Sequence, residues 1–151
     1  CRRERGFTYL AVLVLVVLMG SALASAGEVW HTTQQRDKEQ ELIFIGHQFR
    51  LALKRYADHT PGKSRRAPLR LEELLKDPRH PDIRRYLRKI YPDPLTGRAE
   101  WGLATGPDGE IVGVHSLSDG EPLKKGHFDL MDKRFEGSMK YSDWVFMYSP
   151  A

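Results

Sequence analysis

The sequence predicts an α+β protein in which one long N-terminal helix precedes a small head of short helices, tight turns and antiparallel strands. Three observations predict it. An apolar run without a single charge extends from Phe7 to Ala26. No proline occurs from Phe7 to Thr60, and Leu42, Ile45, Phe49, Leu53 and Tyr56 recur at three- and four-residue steps, as on one face of an amphipathic helix. Beyond Thr60, Pro and Gly punctuate short runs rich in aromatic and β-branched residues, the pattern of strands joined by turns. A chain of 151 residues has room for one modest core and an apolar anchor.

Residues 1–6 form a short basic leader carrying Arg2, Arg3 and Arg5. Cys1 is the sole cysteine, so the chain forms no internal disulfide. A lipidated cysteine follows its apolar segment, whereas Cys1 precedes one. As a helix, Phe7–Ala26 would be about 30 Å long, the thickness of a bilayer core. Residues 7–27 are therefore read as a transmembrane helix. The arginines ahead of it place the N-terminus in the cytoplasm and Glu28 on the far side.

Two fates compete for this segment. Ala24-Ser25-Ala26 matches an A-x-A cleavage signal, and cutting there releases a soluble periplasmic binding or structural protein from Gly27. The Arg2-Arg3 pair adds a faint likeness to a twin-arginine signal. Against release, residues 28–60 continue as a polar and then amphipathic helix, which a discarded signal has no reason to do. Gly20, Gly27 and Gly46 soften that helix without ending it, and Thr60-Pro61-Gly62 stops it.

Residues 61–151 make the head. Lys63-Ser64-Arg65-Arg66 is a solvated link. Pro68 to Leu75 reads as a short helix burying Leu71, Leu74 and Leu75, broken by Asp77-Pro78-Arg79-His80-Pro81. Asp82 to Ile90 reads as another, with Ile83, Tyr86, Leu87 and Ile90 on one side. Tyr91-Pro92-Asp93-Pro94-Leu95-Thr96-Gly97 is a rigid turn, and Gly106-Pro107-Asp108-Gly109 a tight turn between strands at 100–104 and 110–116. Trp144 to Tyr148 is the last strand candidate. Trp101, Phe128, Phe135, Tyr141, Trp144, Phe146 and Tyr148 are read as core rather than as a ligand platform.

Catalytic patterns are lacking. The histidines at 31, 47, 59, 80, 115 and 127 show no H-x-x-x-H or H-E-x-x-H spacing. Ser116, Ser118 and Ser142 sit in no G-x-S-x-G elbow, and Gly106-Pro107-Asp108-Gly109 lacks the lysine and helix of a phosphate loop. An enzyme is not expected. The formal charge is +4, and losing three arginines and one glutamate with residues 1–6 leaves +2, too little to argue nucleic-acid binding.

Arg5-Gly6-Phe7-Thr8, a basic leader ending in Gly before Phe and a long apolar helix, resembles the N-terminus of type IV pilins and type II secretion pseudopilins. Pro68-Leu69-Arg70-Leu71-Glu72-Glu73-Leu74 resembles the short helix after the long one in many pseudopilins, with Ala67 where Tyr is usual. The order of a D-P-x-T-G turn, an aromatic strand, G-P-D-G and a second strand is similar to the C-terminal half of the major pseudopilin. The resemblance implies a pilin-like fold, with the amphipathic half of the helix packed on a small antiparallel sheet. It implies cleavage after Gly6 by a prepilin peptidase, methylation of Phe7, and a filament core built by Phe7, Leu10, Ala11, Leu13, Leu15, Val17 and Leu18. Ala11 stands where the family carries the Glu that meets a neighbouring subunit's amine.

The implied function is a subunit of a type II secretion or type IV pilus-like filament at the inner membrane, supporting protein export. The protein would be single-pass with a periplasmic head. Its implied partners are other pseudopilins, an inner-membrane assembly platform and the prepilin peptidase. A DNA-uptake pilin-like protein is a related alternative, meeting phosphates through Lys63, Arg65, Arg66, Arg84, Arg85 and Arg88. The resemblance also raises calcium, for which Asp119, Glu121, Asp129 and Asp132 lie in the right region. Lys124, Lys125 and His127 fall among them, so the first reading is a solvated loop without metal or other cofactor.

Overall fold

A computed structural model describes residues 4–61 and 66–148, with the side chains of residues 4–6, 22 and 24–29 outside the description. The protein is α+β: a long N-terminal helix and a small three-stranded antiparallel sheet. Helix α1 runs from Glu4 to Asp58. The chain divides into two compact units, Cys1–Asp37 and Lys38–Ala151. The second begins inside the amphipathic stretch read from 28 to 60, because the buried face of α1 starts at Glu39.

That face is Leu42, Ile45, Phe49, Leu53 and Tyr56, each at most 3% exposed. The helical repeat brings Gly46, Ala52 and Ala57 onto the same side. Gly46 has a packing role that its place in a helix does not announce. A Cβ there would overlap the Phe146 ring, so glycine lets the last strand approach the helix backbone.

The sheet runs in the order β1 (Gly102–Thr105), β2 (Ile111–His115) and β3 (Phe146–Met147). In the β1–β2 hairpin Leu103 faces Val114 and Ala104 faces Gly113, and the register shifts between Ala104 and Thr105. The hairpin turn uses Gly109 at φ 77°, left-handed backbone that glycine adopts without steric cost. The Gly106 amide donates to the Glu110 carbonyl at 2.8 Å. Val114 of β2 lies opposite Phe146 of β3.

The aromatic residues read as core are core. Phe135, Trp144 and Phe146 are fully buried, and Trp101, Phe128, Tyr141 and Tyr148 at most 8% exposed. Phe135 stacks on Trp144 at 5.6 Å, while Phe128 and Tyr141 meet the indole edge-on at 5.3 and 5.4 Å. Phe49 of α1 meets Trp101 at 5.1 Å, joining helix to sheet.

Three local expectations change. The Pro68–Leu75 helix contracts to a single 3₁₀ turn, Leu71–Leu74, in which Leu74 is buried while Leu71 and Leu75 are half-buried. Residues 82–90 form no helix. The Tyr86 and Leu87 amides donate to the Leu74 carbonyl at 2.9 and 3.0 Å, and the Arg84 carbonyl accepts from the Asp77 amide at 3.1 Å. Backbone groups engaged with the preceding loop are not free for i to i−4 bonds. The last strand contracts from Trp144–Tyr148 to two residues, because the Trp144 and Val145 amides close a 3₁₀ turn on Tyr141 and Asp143.

Candidate functional site

The first unit presents an apolar helix surface. Leu and Val dominate α1 after Gly6, and among the described residues of that unit nothing covers them. Exposure is 77% at Phe7, 61% at Leu10, 44% at Leu13, 52% at Leu15, 68% at Val17 and 60% at Leu18. Ala11 is exposed beside them. The run continues to Leu23 at 75%. A helix that is apolar all round belongs in a large core or in lipid, and soluble monomers seldom leave so much apolar surface in water. Among the described residues, no helix is long and apolar enough to cross a membrane. Ala22 and residues 24–26, which complete the apolar run read from the sequence, lie outside the described side chains. Gly6, where the resemblance implies cleavage, is helical in its backbone, and its burial lies outside the description.

In the second unit, four buried carboxylates hold loops in place. Glu39 Oε1 accepts from the Leu123 amide at 2.5 Å, the Tyr141 hydroxyl at 2.8 Å and the Lys124 amide at 3.3 Å. Asp132 accepts from Arg50 Nη2 at 2.7 Å and meets His47 Nε2 at 2.5 Å. Arg50 Nε donates in turn to the Met147 carbonyl at 3.0 Å, tying β3 to α1. Asp93 accepts from the Ser116 hydroxyl at 2.6 Å and the Leu95 amide at 2.9 Å, which locks the Pro-rich turn to the strand end.

The fourth is Asp77. Burial pushes its carboxyl up, but hydrogen bonds from the Arg79 side chain and backbone and from the Tyr86 hydroxyl outweigh that and hold it at about 2. Arg79 also reaches the end of α1. Its guanidinium donates to the Tyr56 carbonyl at 3.0 Å and to Thr60 Oγ1 at 2.7 Å, and lies 3.6 Å over the Tyr56 ring. It thereby satisfies a helix-end carbonyl with a cation. Burial, then the hydrogen bond to Glu73, raises the Tyr56 hydroxyl above its ordinary range.

The calcium candidates are not brought together. Asp119 and Glu121 are exposed and pair with Lys140 and Lys125. Asp129 is exposed, and Asp132 is buried against Arg50 and His47. No cluster of three or more metal-ligating side chains occurs among the described residues. Of the basic residues considered for phosphate, Arg66, Arg84, Arg85 and Arg88 are exposed, while Lys63 and Arg65 lie outside the described residues. An open depression of about 330 Å³ is lined by Thr96, Arg98, Glu100 and Leu117.

Sequence reasoning passed over Glu39, Arg50 and Arg79. A signal existed for the first, since Glu39 lies three residues before Leu42 on the apolar stripe. An isolated carboxylate on a buried face needs donors from elsewhere. No protein-family model, curated protein or solved structure matches the chain.

Proposed function

We propose that the protein is a pseudopilin-like subunit of a type II secretion or type IV pilus-like filament at the inner membrane, with its head in the periplasm. One observation carries the reading. α1 is a single element from Glu4 to Asp58, apolar and exposed at residues 7–21 and 23, with one face buried in its last third. A secretory signal is discarded and needs no such continuity. The coarse layout, a long helix with a three-stranded antiparallel sheet, supports a pilin-like fold.

In this reading a prepilin peptidase cuts after Gly6 and Phe7 becomes the methylated N-terminus. Leu10, Leu13, Leu15, Val17 and Leu18 first face lipid and then face other subunits as the filament grows on its inner-membrane platform. Ala11 leaves subunit docking to apolar packing between helices, which in lipid rests on van der Waals fit. The role is structural, without catalysis or a cofactor.

The test is the mass of the mature N-terminus, taken from membranes of cells that express the full chain with a prepilin peptidase. An N-methylated Phe7 is expected. A soluble product starting at Gly27 would sink the reading, because the filament-core segment would be gone.

A further inference from the structure

We propose that the basic strap at residues 82–89 is a contact for the surface of an anionic lipid bilayer, with its arginines on headgroup phosphates. The strap is fastened from within. The Tyr86 and Leu87 amides and the Arg84 carbonyl are bonded to the 74–77 loop. Leu87 is buried, and the Tyr86 ring packs edge-on to Tyr56 at 5.6 Å while its hydroxyl reaches Asp77 at 3.0 Å. Between and beyond these anchors, Arg84, Arg85, Arg88 and Lys89 are exposed, with Asp82 the one acid in the segment.

Cations without a side-chain partner also occur singly in the head, as at Arg70 and Arg98, so what sets the strap apart is how closely they are spaced. Arg50 and Arg79 are paired with aspartates, and even the exposed Lys125 and Lys140 have carboxylate partners. The side chains of Arg84, Arg85 and Arg88 make no hydrogen bond or ion pair among the described residues. Three free guanidiniums within five residues, on a fixed backbone, suit phosphate oxygens, which a planar fork of donors grips well.

Ile83 selects lipid over nucleic acid. It is 70% exposed next to Arg84. An apolar side chain set among cations is how an interfacial anchor is built, with the apolar group below the headgroups and the cations at phosphate level. Nucleic-acid readers place a helix or ribbon in a groove or offer free rings for stacking. The strap has no helix, Tyr86 is packed on Tyr56, and half-buried Tyr91 lies under Lys89 Nζ at 5.4 Å. The inference stands apart from the filament reading, since N-terminal processing is read by mass and lipid contact by binding.

The experiment titrates the full chain, diluted from detergent, with phosphatidylcholine vesicles with and without about one-third phosphatidylglycerol, and reads binding by flotation. The apolar half of α1 and the leader arginines act alike in every variant. R84Q/R85Q/R88Q is expected to lower affinity for anionic vesicles roughly tenfold or more, leaving neutral vesicles unchanged. I83S is expected to weaken binding to both, and it serves as the independent readout should the triple variant fail to match the wild-type melting curve. A control, K54Q/K76Q/K133Q, removes three other exposed cations. Unchanged anionic preference in the triple variant, or an equal loss in the control, overturns the proposal. So does a duplex oligonucleotide that binds the wild type and not the triple variant while vesicle preference is unaltered, which would assign the strap to nucleic acid.

Discussion

Gly46 shows how much one hydrogen atom in place of a methyl group decides. In a helix, alanine is normally favoured over glycine by up to about 1 kcal/mol, so propensity alone makes Gly46→Ala stabilising. The Phe146 ring occupies the space a Cβ needs, and Phe146 is itself fully buried, so it cannot swing into solvent. Overpacking is therefore expected to win, with a net loss of about 1–3 kcal/mol. Gly126→Ala is the matched control, because a Cβ there meets nothing within 4 Å. It is expected to stay within about 0.5 kcal/mol of the wild type. Denaturant unfolding of the full chain in non-ionic detergent, followed by tryptophan fluorescence, checks both. Equal effects at the two glycines would mean that α1 and β3 are not in contact at Phe146.

Among the elements, α1 and the hairpin were legible because their signals are local. Apolar residues at three- and four-residue steps mark the buried face of the helix, and Gly-Pro-Asp-Gly marks the turn, without reference to the rest of the chain. The fastenings were not legible, because they join distant residues. Glu39 bonds Leu123 across 84 positions, and Arg50 bonds Asp132 across 82. The same reason explains the missing helix at 82–90. Its side-chain spacing is helical, but the Leu74 carbonyl takes two of its amides. The apolar half of α1 was visible from composition alone, whereas the unpaired state of the strap arginines emerges only from the fold, which pairs neither Asp82 nor any other described acid with them. The Glu39 fastening can be tested by its geometry. All three donors converge on Oε1, so a glutamine amide oxygen can accept the same bonds. Glu39→Ala leaves the buried Tyr141 hydroxyl and two part-buried amides unpaired and is expected to cost about 3 kcal/mol, with Glu39→Gln costing clearly less. Equal costs, measured in the same unfolding assay, would show that charge rather than acceptor placement holds the 121–128 segment to α1.

For the whole molecule, the buried Asp77 makes acid a condition to which the head answers. Its carboxyl is held at about 2 against an ordinary 3.8. Its folded-state pKa is the lower one, so its contribution is fully present above about pH 4. It is lost as pH falls towards 2, where the folded carboxyl also takes up a proton. For a side chain with no exposed area, a shift of this size corresponds to on the order of 2 kcal/mol. Asp77→Asn removes that titration, though the amide keeps one acceptor oxygen for Arg79. The stability difference between wild type and D77N is therefore expected to be constant from neutral pH down to about 4 and to shrink by on the order of 2 kcal/mol between about 4 and 2. Parallel denaturant midpoints at several pH values measure this directly. A difference that stayed constant through this range would show that Arg79 caps α1 through Tyr56 and Thr60 without drawing on the Asp77 charge. The junction of helix end and head would then be held by hydrogen-bond geometry alone.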